Sequence, residues 1–247
     1  MRAWGTQAAA LLLLLGSAGL GAAAPAAGIT LRIRQQVEAG EISFAADYTA
    51  KFLDEGKFRV EGSKSFTRPE AQQVTVTVAG DGRYVRQLER ESDMLRADVL
   101  DMTRMRKALP GYDPALTYDP RPYRNLVAGG KAVKTGEAMM DGVKVEQYQA
   151  GLPEGRLSLP ANVPLGLPDP ARVRLWLCPD DGIARRVELE DSDGATFLKA
   201  TFTEVRSGIP MEEADFRLDF PAAAAPRDIT DMMIGLVSAS RRPPAER

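Results

Sequence analysis

The residues of this sequence most closely spaced for catalysis or metal binding are carboxylates. They are densest between positions 180 and 193, where they comprise Asp180, Asp181, Glu188, Glu190, Asp191 and Asp193. Neighbouring carboxylates can act as general acids and bases or bind calcium. Most of these fall in turn sequences or on the polar side of an alternating segment. We therefore expect solvated side chains or a weak calcium contact rather than a catalytic pair.

Other catalytic and metal-binding groups are scarce. The 247-residue chain has no histidine and a single cysteine, Cys178. The absence of histidine excludes Ser-His-Asp and Cys-His catalysis and histidine-ligated metals, and Cys178 is expected to be a small apolar filler. A formal charge of −2 provides no broad positive field for nucleic acid. We expect no enzymatic activity, no cofactor, no metal site and no nucleic-acid partner.

The first residues have the pattern of an export signal. Arg2 precedes a short apolar run, residues 8–15, and small residues lead to a plausible cleavage site at Ala24-Pro25-Ala26. The run is shorter than the roughly 20 residues of a membrane-spanning helix. The sequence thus predicts a signal peptide over residues 1–26, a periplasmic single domain over 27–240 and a loose basic tail over 241–247. A single cysteine allows no intramolecular disulfide.

Strict alternation of apolar and polar residues predicts most of the domain as antiparallel strands. It is clearest over residues 42–52, and it recurs over residues 172–205 as a three-strand meander with turn residues at both corners. Further strands are predicted around Phe58, over 74–88, over 132–152 and over 216–221. The apolar side of these strands is expected to line the interior of the sheet, and the predicted lining residues are Ile42, Phe44, Tyr48, Phe52, Val74, Val76, Val78, Val173, Leu175, Leu177 and Phe202.

Three stretches favour helices. Residues 29–39 fit both a helical and a two-residue period, and we interpret them as a short helix ended by Gly40. Ser92 or Asp93 is a candidate cap for a helix reaching Leu109, with an adaptable, methionine-rich stripe. A third helix is expected over residues 228–237. The proposed helical lid comprises Met94, Leu95, Met102, Met105 and Leu109. The proline-rich residues 153–170 carry apolar side chains, among them Leu157 and Leu165, that could cover an open end of the sheet.

These elements predict a mainly β, α+β fold. About eight to eleven strands form a large antiparallel sheet that must bury its apolar face. Two or three helices are too few to cover that face tightly. We therefore expect a curved sheet, an unclosed half-barrel, with helices across its open side as a lid and an apolar space between.

The order of features resembles the periplasmic outer-membrane lipoprotein carrier and sorting superfamily, the LolA-like fold. The resemblance is a spaced pattern of strand and turn residues over most of residues 29–221. It is carried by Ile42–Phe52, Lys57-Phe-Arg-Val-Glu61, Ala79-Gly-Asp-Gly82, residues 136–148, Val173-Arg-Leu-Trp-Leu-Cys-Pro-Asp-Asp-Gly182, Asp193-Gly194, residues 202–206, Ile209-Pro210 and residues 215–221.

The resemblance implies a carrier that binds lipid or lipoprotein acyl chains in an apolar cavity and sorts or transports them to the outer membrane. Inner- or outer-membrane lipoprotein-handling proteins would be its partners, and a monomer is expected. The resemblance also implies an arginine that ties the lid to the sheet, for which Arg59 and Arg68 are both candidates. The alternative is a non-enzymatic envelope sensor or structural interaction module on the same fold. A tightly packed interior without a cavity would favour that alternative.

Overall fold

The computed structural model describes residues 26–53, 56–68, 70–152 and 170–240. The predicted signal peptide up to residue 25, the tail from 241 and the proline-rich residues 153–169, with Leu157 and Leu165, lie outside these ranges. The strands are β1 (Ala26–Ala39), β2 (Ile42–Phe52), β3 (Lys57–Arg68), β4 (Gln72–Asp81), β5 (Tyr84–Glu91), β6 (Met94–Asp101), β7 (Val133–Met140), β8 (Val143–Gly151), β9 (Arg172–Leu177), β10 (Ala184–Glu190), β11 (Thr196–Met211) and β12 (Pro226–Asp228). The α-helices are α1 (Met102–Ala108), α2 (Arg124–Ala128) and α3 (Thr230–Ser240).

The twelve strands of the described chain form one open sheet. Its order is β12-β6-β5-β4-β3-β2-β1-β11-β10-β9-β8-β7. Neighbouring strands are antiparallel except β12, which lies parallel to β6. Two meanders, β1–β6 and β7–β11, meet where Ile33 of β1 pairs with Tyr48 of β2 on one side and Phe202 of β11 on the other. The predicted half-barrel, an antiparallel sheet that does not close, is confirmed.

One face of the sheet, the inner face, carries the apolar core. Strand alternation places Phe44, Tyr48 and Phe52 of β2 on this face, and register places Val60 and Val78 beside them. The cover consists of α1, the segment that follows it to residue 128, and α3. Met102, Met105, Tyr112 and Tyr118 are buried in the same cluster, and Met233, Ile234 and Val237 of α3 pack against it. Helical segments therefore cover the inner face, as predicted.

The helix expected over residues 29–39 is wrong. These residues belong to β1, which pairs with β2 over its length from Ile29 to Ala39 and with β11 on its other side. Ile29, Ile33 and Val37 satisfy a four-residue spacing, but Leu31 and Ala39 are buried with them on the same strand face. Hydrogen bonding to two neighbouring strands overrides the ambiguous period.

The helix expected over residues 92–109 is only partly confirmed. Residues 94–101 form β6, and Ser92 and Asp93 make the turn that joins it to β5, with Ser92 at φ 49°. The helix begins eight residues later than expected, where Asp101 accepts hydrogen bonds from the backbone N–H groups of Thr103 and Arg104. The capping residue is thus Asp101, not Ser92 or Asp93.

The strand expected over residues 216–221 is also wrong. Glu213–Phe216 is a 3₁₀ turn, and residues 217–221 belong to no strand. This segment lies on the outer face of the sheet, where Lys51 Nζ is 2.6 Å from Asp215 Oδ1 and Lys57 Nζ is 2.5 Å from Glu213 Oε1. Phe216 is fully buried there. The chain then reaches the sheet edge as β12, and α3 follows as predicted.

Candidate ligand-binding site

The eleven residues expected to line the interior lie on the inner face. Ten of them are buried, and Ile42, at the start of β2, is partly buried against the same cluster. Aromatic rings contact one another within this cluster: Phe44 and Phe66 lie 5.3 Å apart between centroids, and Tyr48 meets Tyr118 edge-on at 5.8 Å. The structure brings the predicted set together as one apolar surface. Their contact with a ligand stays a prediction.

The cover occupies much of the space above that surface. Met102, Met105 and Leu109 of the predicted lid are buried in the core cluster, and Met105 is fully enclosed. Met94 and Leu95 lie elsewhere, on opposite faces of β6, and Met94 is 67% exposed. Three of the five predicted lid residues therefore belong to one helix and its end, and the other two belong to the sheet.

A cleft of about 710 Å³ opens beside the cover, at the end of the sheet where β3 and β5 finish and β4 and β6 begin. Phe66 and Val74 form an apolar wall on the inner face, and Met94 and Leu95 border the cleft at β6. Its full lining is Lys64, Phe66, Gln72, Val74, Glu89, Glu91, Met94, Leu95, Arg96, Ala97, Ala223, Ala225 and Arg227. The cleft combines an apolar wall with a few charged groups, the usual composition of a small-molecule site.

The charges of the cleft come from alternating positions that face inward. Register places Lys64 opposite Val74, and Glu89 opposite both Val76 and Arg96. Lys64 Nζ lies 4.0 Å from Glu89 Oε1, and only 15% of the Lys64 side chain is exposed. Burial lowers the pKa of Lys64, the charge of Glu89 opposes that shift, and Arg96 adds to it. Lys64 is thus a weakly compensated cation in a largely apolar setting.

A buried carboxylate organises the arginines at the rim. Asp98 is 2% exposed, and its two oxygens accept from Arg96 Nε at 2.6 Å and Arg227 Nη2 at 2.7 Å. The side chains of both arginines are more than half exposed. Asp98 therefore fixes the position of two guanidinium groups whose outer parts face solvent.

Tyr48 contributes a polar group to the interior. It is 1% exposed, and within the described chain its hydroxyl has no hydrogen-bond partner. Burial raises the pKa of Tyr48, and the nearby Tyr118 and Glu89 raise it further. The register runs from Tyr48 through Gly62 and Val76 to Glu89. Tyr48 therefore belongs to the apolar core, three strands away from Glu89 of the cleft.

The two arginines proposed to tether a lid have different positions. Arg59 lies on the outer face, where it donates to Glu61 and to the backbone oxygen of Arg217 at 2.5 Å. It holds the outer segment rather than α1. Arg68 ends β3 and pairs through its backbone with Ser43; its side chain lies outside the described part of the structure.

Sequence reasoning missed an arginine that joins the cover to the sheet, in addition to Arg106 of α1, which donates to the backbone oxygen of Gly82 at 3.0 Å. Arg121 donates to the backbone oxygen of Leu53 at 3.2 Å and to the buried Asp119 at 2.8 Å. Its guanidinium also lies over the Phe52 ring. The sequence around it is irregular and rich in tyrosine and proline, but no periodic signal indicates which sheet residue Arg121 meets.

The acidic residues at 180–193 lie in turns and on the outer face of β10. Asp181 and Asp191 accept backbone N–H groups within turns, as expected. Glu188 and Glu190 lie on the outer strand face but are buried, contrary to expectation, because Arg174, Arg186 and Arg172 pair with them. Cys178 is buried, as predicted. Among the described residues, no group of three acidic or cysteine side chains is placed to hold a metal ion.

The fold is similar to that of several solved structures. Lipoprotein LppX of Mycobacterium tuberculosis shares 12% identity, with 74% of this chain and 88% of LppX covered at a TM-score of 0.47. LprF from Mycobacterium bovis shares 12%, with 74% and 87% covered at 0.48. An uncharacterized conserved protein from Thermus thermophilus shares 12%, with 81% and 90% covered at 0.43.

No family model matches the sequence, and no curated protein matches it. Within the described residues, no helix has the length and apolar character needed to cross a bilayer.

Proposed function

We propose that this protein is a non-enzymatic, exported carrier that binds the acyl chains of a lipid or lipoprotein inside its half-barrel. The observation that carries the proposal is the cleft, whose apolar wall of Phe66 and Val74 continues into the inner face. An acyl chain entering there would meet Phe44, which contacts Phe66. Transport to the outer membrane and handling by membrane-bound partners are part of this proposal.

For an acyl chain to reach the inner face, the helical cover must move away from it. Exposing Met102, Met105 and Leu109 would cost roughly 1.5–3 kcal/mol for each side chain, whereas burying about 12 methylene groups contributes roughly 10 kcal/mol. The two quantities are comparable, so a long acyl chain can compete with α1 for the same apolar surface. Methionine adapts to either partner because its side chain is unbranched and flexible.

Hydrogen exchange with and without a fluorescent fatty-acid probe tests this proposal on the mature protein. Backbone amides of α1 should change protection on binding, while those of Arg172–Leu177 in β9 stay protected. Mass spectrometry of lipids that co-purify from the cell envelope would identify the natural ligand. N-terminal sequencing should find the mature chain beginning between residues 25 and 29, whereas an intact Met1 in the cytoplasm would contradict export.

A matched pair of variants locates the entry point. Val74→Trp fills the cleft from the inner face, and we expect it to weaken probe binding about tenfold or more. Thr75→Trp adds the same side chain next to it on the outer face, where Thr75 is exposed, and should leave binding unchanged. Equal binding by both folded variants would place entry elsewhere.

The packed interior supports a second candidate, an interaction module without a lipid ligand. Met105 and Tyr118 fill space above the inner face, which is the arrangement that a purely structural role requires. Absence of co-purified lipid, together with no probe binding by the wild type, would favour this second function.

A further inference from the structure

We propose that the cleft recognises an anionic head group, such as a phosphate, through Lys64 together with Arg96 and Arg227. This inference rests on the proposed function, because it assigns the polar end of the amphiphile whose chain the half-barrel would bind. It does not follow from the apolar inner face alone. It depends on how the charges of the cleft are distributed and on which of them are already neutralised.

The first step concerns Lys64. Its side chain is 15% exposed and shares the inner face with Phe66 and Val60. Within the described chain its ion-pair partner is Glu89, at 4.0 Å, which is beyond hydrogen-bond distance. The same Glu89 oxygen accepts a hydrogen bond from Gln87 at 2.9 Å. The ammonium group is therefore desolvated without a close anion.

A buried cation without a close partner is costly, and an incoming anion removes part of that cost. The lowered pKa of Lys64 agrees with this position. A bound phosphate oxygen would offset the charge of the Lys64 ammonium group from hydrogen-bond distance, whereas Glu89 does so only from 4.0 Å.

The second step concerns the rim. Arg96 and Arg227 both turn toward Asp98, which binds them from the buried side. Their side chains are 53% and 58% exposed, and both line the cleft. A guanidinium has five N–H donors in a planar fork, so binding one carboxylate leaves donors for a second anion. Asp98 thus positions two arginines at the opening without enclosing them.

Two carboxylates oppose this assignment. Glu89 and Glu91 line the cleft, and on charge alone they would favour a cationic ligand. Glu89, however, already accepts a hydrogen bond from Gln87 at 2.9 Å, so one of its two oxygens is engaged within the inner face. With Asp98 included, three cations face three carboxylates, so the assignment depends on the position of Lys64 and on the guanidinium donors left at the rim rather than on net charge.

The buried hydroxyl of Tyr48 is, among the described residues, a further unpartnered polar group on the inner face. It is a buried hydrogen-bond donor close enough to Glu89 to be affected by its charge, although Tyr48 itself does not line the cleft. An acidic head group held by Lys64 would leave the acyl chain to continue along Phe66 and Phe44.

The test compares amphiphiles of equal chain length with the folded mature protein. Dodecyl phosphate, dodecanol and dodecyltrimethylammonium are titrated as competitors of a fluorescent fatty-acid probe, and inorganic phosphate is titrated alone. We expect dodecyl phosphate to bind about tenfold or more tightly than either of the other two amphiphiles. Lys64→Met, which keeps an apolar stem of similar length, should remove most of that preference while dodecanol binding is retained.

Arg90→Met is the matched control, because it also removes one positive charge from this part of the sheet but lies exposed on the outer side of β5. It should keep the full preference. Equal binding of the three amphiphiles, or an unchanged preference in Lys64→Met, would overturn the head-group site and leave the carrier proposal standing. Inorganic phosphate binding as tightly as dodecyl phosphate would show a free-anion site instead. If no amphiphile binds, the proposed function itself fails.

Discussion

Arg121 places its guanidinium carbon 5.8 Å from the centre of the Phe52 ring, so that a residue of the cover lies against an aromatic side chain of the sheet. The same guanidinium donates to Leu53 O and is held in position by Asp119. Phe52 is fully buried and ends β2. This contact joins the segment after α1 to the end of the sheet opposite the cleft.

Replacing Arg121 with Met should loosen the cover. The change leaves the carboxylate of Asp119, 7% exposed, without its main cation, and breaking such a buried pair costs roughly 3–5 kcal/mol. Urea denaturation should show that loss, and hydrogen exchange should show faster opening of α1. Arg124→Met, an exposed position three residues along, serves as the control. Similar stability in the two variants would contradict the role assigned to Arg121.

Replacing Phe44 with Asp should prevent folding or ligand binding. Phe44 is buried against Phe66, and an unpaired charge in an apolar interior costs several kcal/mol, as a rough guide. Ala45→Asp introduces the same group one residue later on the outer face, where Ala45 is exposed. Thermal unfolding of the two variants measures the difference. A Phe44→Asp protein as stable as Ala45→Asp would show that β2 faces the other way.

Replacing Gly62 with Ala should destabilise the sheet at the pairing of β2 and β3. A Cβ at this position would lie 2.0 Å from the backbone oxygen of Asp47 and 2.8 Å from Tyr48 Cα. Backbone atoms cannot move aside as a flexible side chain can, so we expect a loss of about 3 kcal/mol. Gly151→Ala meets open space in β8 and should be neutral or stabilising by about 0.4–1 kcal/mol. Equal unfolding midpoints for both variants would contradict the close approach.

The ion pairs of Glu137 on the edge strand β7 should stop stabilising the fold in acid. Hydrogen bonds from Lys134 and then Lys144 lower the pKa of Glu137 from its ordinary 4.5 to about 2. A carboxyl with a lowered folded-state pKa stabilises the fold above its unfolded-state pKa, and the contribution is lost as the pH falls from 4.5 toward 2. An NMR titration should place the Glu137 midpoint near 2. In Lys134→Ala the midpoint should move back toward 4.5; an unchanged midpoint would assign the shift to another group.

The sequence predicted β2 well because its residues alternate strictly between the buried inner face and the outer face of the sheet. From Ile42 to Phe52, inward positions are apolar and most outward positions are polar, so the pattern has only one interpretation. The inner-face residues were predictable for the same reason. Phe216, Leu218 and Phe220 also alternate, but their segment lies on the outer face outside any strand, so alternation alone predicted a strand wrongly there.

Strand β6 could not be predicted because it has no apolar and polar side. Ala97 and Asp98 are adjacent and both buried, one on each face. The buried carboxylate of Asp98 accepts a hydrogen bond from Arg227, 129 residues later in the chain. No local sequence pattern predicts that pairing. The cleft was missed for the same reason, since it exists only where β3–β6 meet the residues before β12. Its members Val74, Met94 and Leu95 had been assigned to an interior wall and to a helix.

The pairing of β1 with β11 has a consequence for how the chain reaches its native state. Ile33 meets Phe202 across about 170 residues of intervening chain, so the first strand of one meander pairs with the last strand of the other. Closing so long a loop has a large entropic cost, and non-local contacts of this kind lower the folding rate. Until β11 is available, β1 presents an unpaired hydrogen-bonding edge on a strand that carries Ile29, Leu31 and Ile33. A chain that emerges from its N-terminus first would keep this edge open to wrong partners for most of its synthesis and translocation.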